Sequence, residues 1–498
     1  LEISDILNKT IQNFIDTGIN IVSEDEQAKE VNFKDFDTLI DYNLPKTWNF
    51  NLDVIYLHED NRKHFEILLK KRGQQRIVYC GQGYQKLDDG VYVVDKQNAG
   101  LALQDMAFPI PIRMCFLDGL FYGTNAKYEE VKQELSERFA ELTGHKSTKI
   151  RFGKTWVKNC LENLDEMRAA SSAECLENIF LGQNVVIVSP GPSLAKNIDN
   201  LKTQNSSIIL AVAQAVPALS KNNIIPDFVF VMDPQDYSFT LDGVDLSKTA
   251  LICPDYISKS FLKKNFNKKY LLLTETSCFQ KNIFKKLKRF NLENASSVSV
   301  AAVLLSSKLG ASKIAVIGQD LSYSDTKYYG DLYDPKKISG ASQVEVQTSH
   351  TLPGYNGGTV RTNFQYSVYH KQLQDIAQTS TRNGQNTFYN CTEGGASISG
   401  FEQMPLLEYL TTFCASDKDL INSLDRTPPI DLSPSECLKA LRSISRSTRK
   451  LISDIQRLNR LKRKKGFDND IFALEQDILN RALSIDILND YVYEPLQK

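Results

Sequence analysis

The 498-residue chain has no apolar run approaching the ~20 residues that cross a bilayer, and no secretory signal pattern is visible in it. A membrane span is therefore not expected, and a cytoplasmic location is. Its nine cysteines are scattered, odd in number and without a Cys-x-x-Cys pair. That pattern argues for reduced thiols and against a zinc site. Neither sign of charge dominates: 59 Lys and Arg stand against 60 Asp and Glu, a formal net charge of −1. General nucleic-acid binding is not expected from such a balance. What is present is enough chain for two or three domains, each able to bury a sizeable core.

The most informative segment is Asn184-Val-Val-Ile-Val-Ser-Pro-Gly-Pro-Ser-Leu194. A β-branched run ends in a Pro-Gly-Pro-Ser turn, and Leu194, Ile198 and Leu201 then recur at helical spacing. A buried strand that turns at glycine into a helix leaves N–H groups directed at one spot, a geometry that suits a phosphate. Gly191 permits close backbone approach, and Ser193 is expected to be the helix N-cap. Gly191, Pro192 and Ser193 are thus candidate nucleotide-binding residues, although an ordinary βα turn uses the same residue types.

Further apolar runs follow at 208–212, 228–232, 251–253, 270–273 and 313–317, most separated by amphipathic or mixed stretches. Such alternation predicts a mostly parallel, Rossmann-like sheet covered on both faces. Ligands of such sheets bind beyond the carboxyl ends of the strands. Three ends here are polar: Gly191 to Ser193, Asp233-Pro-Gln235 and Gly318-Gln-Asp320. The last opens a loop holding Tyr323 and Tyr329, whose hydroxyls can hydrogen-bond a departing phosphate or donate a proton. A fourth candidate, Asn390-Cys-Thr-Glu-Gly-Gly-Ala396, follows an expected strand at 387–389. In it Gly394 and Gly395 let backbone amides reach a ligand, and Thr392 and Glu393 can bind hydroxyls. Pro353-Gly-Tyr-Asn-Gly-Gly358 reads either as a mobile lid or as plain turns.

Residues 1–150 read as a separate α/β domain with strands at 54–57, 77–79, 91–94 and 114–117. Its Cys80-Gly-Gln-Gly83 only faintly suggests a dinucleotide loop, lacking a third glycine and a helix start. A helical stretch at 151–181 leads into a central domain extending to about 415. Beyond it, Thr427-Pro-Pro429 and Ser433-Pro434 break regular structure. A helical domain is expected over 416–498. There Leu441, Ile444, Thr448, Leu451, Ile455 and Leu458 form one stripe, and Ile471, Leu474, Ile478, Ala482, Ile485 and Leu488 another. A helical hairpin follows, packed on its own protein or docking a partner.

As a set, Ser189-Pro-Gly-Pro-Ser-Leu194, Ile225-Pro-Asp-Phe228, Asp233-Pro-Gln235, Gly318-Gln-Asp-Leu321 and the 390–396 segment resemble the motility accessory factor family of flagellin glycosyltransferases. The resemblance covers about 151–415. It implies a central domain similar to bacterial sialyltransferases, and transfer of a pseudaminic or legionaminic type of nonulosonic acid from a CMP-activated donor to Ser or Thr of flagellin. It carries Gly191, Pro192, Ser193, Asp233, Gln319 and Asp320 into the site. It suggests, by loop position only, Tyr329 and Tyr323 for the leaving phosphate. His350 lies where a catalytic histidine is expected, but Gln347-Thr-Ser-His-Thr351 does not reproduce the sialyltransferase motif. Archaeal pterin pyrophosphokinases share the central fold, which keeps an ATP- and Mg²⁺-dependent phosphotransferase in view, with Asp233 and Asp320 as carboxylates. A non-catalytic flagellin-binding protein is the third reading.

The transfer chemistry is self-consistent. The anomeric carbon of a nonulosonic acid is fully substituted, so bond breaking builds positive charge early. The enzyme must stabilise the outgoing phosphate and deprotonate a weakly nucleophilic hydroxyl. One in-line displacement predicts inversion, and a monophosphate donor requires neither metal nor other cofactor.

Overall fold

The computed structural model describes residues 29–33, 53–57, 76–88, 90–105, 113–117, 126–203, 207–274, 276–277, 283–292, 295–323, 350–382, 386–413, 426–431 and 433–465. Those up to Gly153 belong to one compact unit and those from Lys154 onward to another.

The first unit is built on strands β1 (Lys29–Phe33), β2 (Asp53–Leu57), β3 (Arg76–Cys80), β4 (Tyr84–Asp88), β5 (Val91–Val94) and β6 (Arg113–Leu117). They lie in the order β1-β6-β2-β3-β5-β4, parallel except for the β4–β5 pair. Val78, Cys80, Tyr92 and Val94 pack with Ala99, Leu103, Val131 and Leu135 in its core. The Gly81–Gly83 turn is not a dinucleotide loop. It leads into β4 rather than a helix, its Gly81 amide bonds Val94 O at 2.8 Å, and Gly83 N–H donates to Asp95 Oδ2 at 2.8 Å.

The helix expected from 151 begins earlier, running over Ala126–Ala169, and the chain passes from one unit to the other within it. The second unit then forms β7 (Ser171–Ser172), β8 (Asn184–Val188), β9 (Ile208–Val212), β10 (Phe228–Phe230), β11 (Ala250–Cys253), β12 (Lys268–Leu271), β13 (Lys313–Ile317), the hairpin β14 (His350–Pro353) and β15 (Thr359–Thr362), β16 (Thr387–Asn390) and β17 (Phe401–Gln403). Nine of these make one sheet, ordered β17-β16-β13-β8-β9-β10-β11-β12-β7, with every pairing parallel. The α/β, Rossmann-like sheet expected from the apolar runs is present. β8, β9 and β13 show no polar alternation because both of their faces are covered. Val185, Ile187, Leu210, Phe228, Ile252 and Ile314 pack with Val300, Val303 and Leu305 of the helix Val298–Lys308. The alternate residues Val186, Val188, Ala211 and Val229 are equally buried, as are Leu194, Ile198 and Leu201.

Chain order fixes where a ligand can enter. From β8 the strands proceed through β9, β10, β11 and β12 in one direction, whereas β13 pairs on the opposite side of β8. The order therefore reverses between β8 and β13, the place where doubly wound sheets open a crevice at their carboxyl ends.

Residues 426–431 run as a strap at the β7 edge. Ile430 N–H donates to Ala170 O at 2.8 Å, Lys268 Nζ to Thr427 O at 2.6 Å, and Ser171 bridges Pro429. Ser433-Pro434 does not break structure but starts a helix, Pro434–Lys465. Glu436 N–H donates to Ser433 Oγ at 3.2 Å and Ser433 N–H to Glu436 Oε2 at 3.1 Å, a reciprocal capping box with proline at the first helical position. The second expected stripe, Ile471 to Leu488, lies outside the described residues. Among the described residues no helix is long and apolar enough to cross a membrane.

Candidate functional site

At the reversal point the ends of β8 and β13 are locked together. Ser189 N–H donates to Ile317 O at 3.0 Å and Gly191 N–H to Gly318 O at 2.8 Å. A Cβ on Gly191 would stand 2.3 Å from Gly318 O and 2.1 Å from Asp320 Oδ2, so glycine is required here for protein-to-protein approach. Asp320 completes the lock. It accepts Ser193 N–H at 3.2 Å on Oδ1 and Ser193 Oγ–H at 2.8 Å on Oδ2. Two expectations are thereby corrected. Ser193 is not a side-chain cap: its backbone is already helical and its hydroxyl is turned to Asp320. Nor are the Gly191 and Ser193 amides aimed at a phosphate, because β13 presents a carbonyl and a carboxylate where the anion was expected.

Burial pushes the Asp320 carboxyl above its usual range, while Ser193 and the Lys196 ammonium pull the other way. Asp320 is only 8% exposed.

The 391–396 loop closes over this lock from β16. Gly395 adopts φ +68°, and a Cβ there would sit 2.2 Å from Asp320 O and 2.5 Å from its Cα. The neighbouring Ala396 N–H donates to Asp320 O at 2.8 Å. Thr392, fully buried, holds Gln319 by accepting its N–H at 3.4 Å. Glu393 takes φ +57°, and its Oε1 accepts Leu406 N–H at 3.0 Å and Asn197 Nδ2–H at 3.2 Å. Thr392 and Glu393 thus brace the loop rather than present free hydroxyl-binding groups. Gly394 packs closely on the turn below it: an added Cβ would stand 3.2 Å from Lys196 Nζ, 3.4 Å from Ser193 Cβ and 3.9 Å from Asp320 Oδ1. Lys196 is exposed and donates to Glu393 O at 3.2 Å. Beside Gly394 the braced loop therefore carries one exposed ammonium, Lys196, which can meet an anionic group from the solvent side.

Asp233 lies beyond β10, its Oδ1 accepting Gln235 N–H at 2.8 Å in an Asx turn. Asn159 fixes this segment from the long helix, donating from Nδ2 to Pro234 O at 3.0 Å and Tyr256 O at 2.8 Å. Tyr323 is buried; its hydroxyl accepts from Asn363 and its ring lies 5.6 Å from that of Tyr366. His350 is exposed at the start of β14, its ring edge-on to Phe364 at 6.1 Å. Tyr329 lies outside the described residues. The 353–358 segment is the tip of the β14–β15 hairpin. It is tied down by Tyr355 N–H to Gly395 O at 2.8 Å and Ser397 N–H to Pro353 O at 2.9 Å, so it is a fastened turn.

Lys196, Asn197 and His370 were not picked out from the sequence. The first two follow the Pro-Ser turn directly, and their side chains gain meaning only because β16 returns beside β13. His370 is buried on the helix Phe364–Arg382, and its Nε2 contacts Ser397 O at 2.7 Å, so that nitrogen carries the proton. Burial lowers its pKa below 6.5, the Ser397 bond opposing. A depressed histidine contributes stability above 6.5 that is lost as pH falls through its folded value. His370→Gln should therefore flatten the fall in stability below pH 6.5, read as urea midpoints of both proteins between pH 7.5 and 5. Parallel curves would contradict a buried neutral imidazole.

Comparison with known proteins bears on the family resemblance and on the fold. Residues 158–326 match the family model described as 6-hydroxymethylpterin diphosphokinase MptE-like. An uncharacterised protein of Treponema pallidum (strain Nichols) is 30% identical over 112 residues, a match covering 21% of this chain and 52% of that relative, so about half of the relative's length is spanned. The solved MAf glycosyltransferase of Magnetospirillum magneticum AMB-1 superposes with a TM-score of 0.56 at 13% identity, covering 98% of this chain and 81% of that one. The chain is thus similar to MptE-like proteins over its central segment and to a Maf glycosyltransferase in fold, the pair of resemblances that the strand-end motifs implied.

Proposed function

We propose that the chain is a glycosyltransferase that moves a nonulosonic acid from a CMP-activated donor to Ser or Thr of flagellin. The observation that supports this best is the convergence at the β8–β13 reversal. A carboxylate lock, a braced glycine loop and an exposed lysine meet where such sheets bind nucleotides. In this reading the donor phosphate sits beside Gly394 and is met by Lys196, whose ammonium offsets the charge that grows as CMP departs. Asp320 holds the Ser193 turn in place, while Asp233 and Gln319 border the crevice. Tyr323 and Tyr329 keep their proposed part at the phosphate and His350 as base for the acceptor hydroxyl. No metal is invoked, and the single displacement inverts the anomeric centre.

Co-expression with flagellin and the sugar pathway, followed by intact-mass measurement, tests the reading: flagellin should gain whole sugar masses. Lys196→Ala should raise KM for the donor by about 10-fold, the ~1.5 kcal/mol expected for one lost charge-assisted hydrogen bond. An unchanged donor KM would remove Lys196 from the site.

The MptE-like match over 158–326 favours a second reading, transfer of pyrophosphate from ATP to a pterin. Stabilisation by ATP with Mg²⁺ but not by CMP would select it.

A further inference from the structure

The helix Pro434–Lys465 carries eleven of the chain's 59 Lys and Arg but only two of its 60 Asp and Glu, so the rest of the protein is net acidic. The basic residues are not spread around it. Lys439, Arg442, Arg446, Arg449, Arg457 and Arg460 recur at intervals that place them on one face, with Ser453 filling the gap in the row, and all six are exposed. Both acids, Glu436 and Asp454, fall outside the row. Cys437 and Leu441 are buried on the other side, so the first turns use their apolar face on their own unit. The helix start is fixed by its capping box and by the strap bonded to Ala170 and Lys268. From Lys439 to Arg460 the row extends over ~31 Å.

We infer that this row is a docking face for an acidic, helical surface of the acceptor protein. The inference rests on the transferase reading for the identity of that partner. Three features favour a protein over other anions. Membrane-surface helices insert their apolar face, and here the apolar face at the helix start is covered. An extended polyanion would also meet the net acidic remainder of the chain and be repelled. A discrete acidic helix avoids both, and side chains at three- and four-residue intervals meet partners at the same intervals. Exposed ion pairs are individually weak and screened by salt, so the contact speeds encounter and release rather than forming a lasting complex.

The test uses the full chain carrying Arg446→Glu, Arg449→Glu and Arg457→Glu together, and a second variant with Lys at the same three positions. Flagellin is the probe, with binding followed by fluorescence anisotropy and sugar transfer measured separately. CMP release from the donor without acceptor should be unchanged in both variants, which also shows that they fold. The Glu variant should raise the acceptor Kd and KM at least 10-fold at low salt and lose the salt dependence of the wild type, while the Lys variant retains both. Equal binding by wild type and Glu variant, or equal loss in the Lys variant, would overturn the proposal. So would loss of binding to vesicles of one part phosphatidylserine to three of phosphatidylcholine with flagellin binding intact. If wild type binds flagellin through this face but neither releases CMP nor transfers sugar, the docking face stands and the transferase reading falls.

Discussion

Gly395→Ala is expected to abolish the proposed sugar transfer and to lower the stability of the second unit by ~2–5 kcal/mol. Two costs combine. The residue holds φ +68°, where an L side chain is strained, and its Cβ would lie 2.2–2.7 Å from the Asp320 backbone. Backbone on both sides cannot give way as a flexible side chain can. The loop must therefore lift, taking Gly394 away from Lys196 and breaking the Ala396 to Asp320 bond. Gly357→Ala is the matched control: its φ of +84° is similarly unfavourable, but an added Cβ meets nothing within 4 Å. It should cost only ~1–2 kcal/mol and leave transfer intact. Urea unfolding and transfer rates on the pair separate strain from contact, and equal losses at the two glycines would show that contact with Asp320 is unimportant.

Asp320→Ala should reduce transfer at least ~100-fold and destabilise by ~2–4 kcal/mol, because it strands the buried Ser193 N–H and O–H without an acceptor. Its pH signature is distinctive. A carboxyl whose folded pKa is raised above 3.8 contributes stability below that value and loses it as pH rises through the folded pKa. Asp320→Asn lacks this dependence. The stability advantage of the wild type over Asp320→Asn should therefore shrink as pH climbs from 3.8, whereas transfer by the Asn variant stays low throughout. A gap that widens with pH would mean that Asp320 is stabilised as the anion and that burial is not its dominant influence.

Much of the sheet was legible from residues alone. The runs at 208–212 and 313–317 coincide with β9 and β13, because strands buried on both faces must be continuously apolar. The two-residue β7 and the short β17 escaped, since neither has length enough to show a period. The first helix of the terminal region was legible in its stripe, yet its start was misjudged because Ser433-Pro434 resembles a breaker until Glu436 is seen to complete the box.

The candidate site was legible as a set of strand ends and not as a set of contacts. Gly191, Ser193 and Asp320 do meet, but the turn clasps Asp320 where an anion was expected. Nothing in a linear sequence says that a β13 carboxylate will occupy the amides of a β8 turn. Likewise Lys196 reads as an ordinary helix lysine until β16 brings Glu393 and Gly394 beside it. Thr392 and Glu393 read as ligand groups because their partners, Gln319 N–H and Leu406 N–H, are distant in sequence.

The most direct test of the account is a crystal structure of the full chain with CMP. The phosphate should lie within hydrogen-bond reach of Lys196 Nζ, beside the Gly394 loop. A nucleotide lodged at another part of the molecule, out of reach of Lys196, would contradict it.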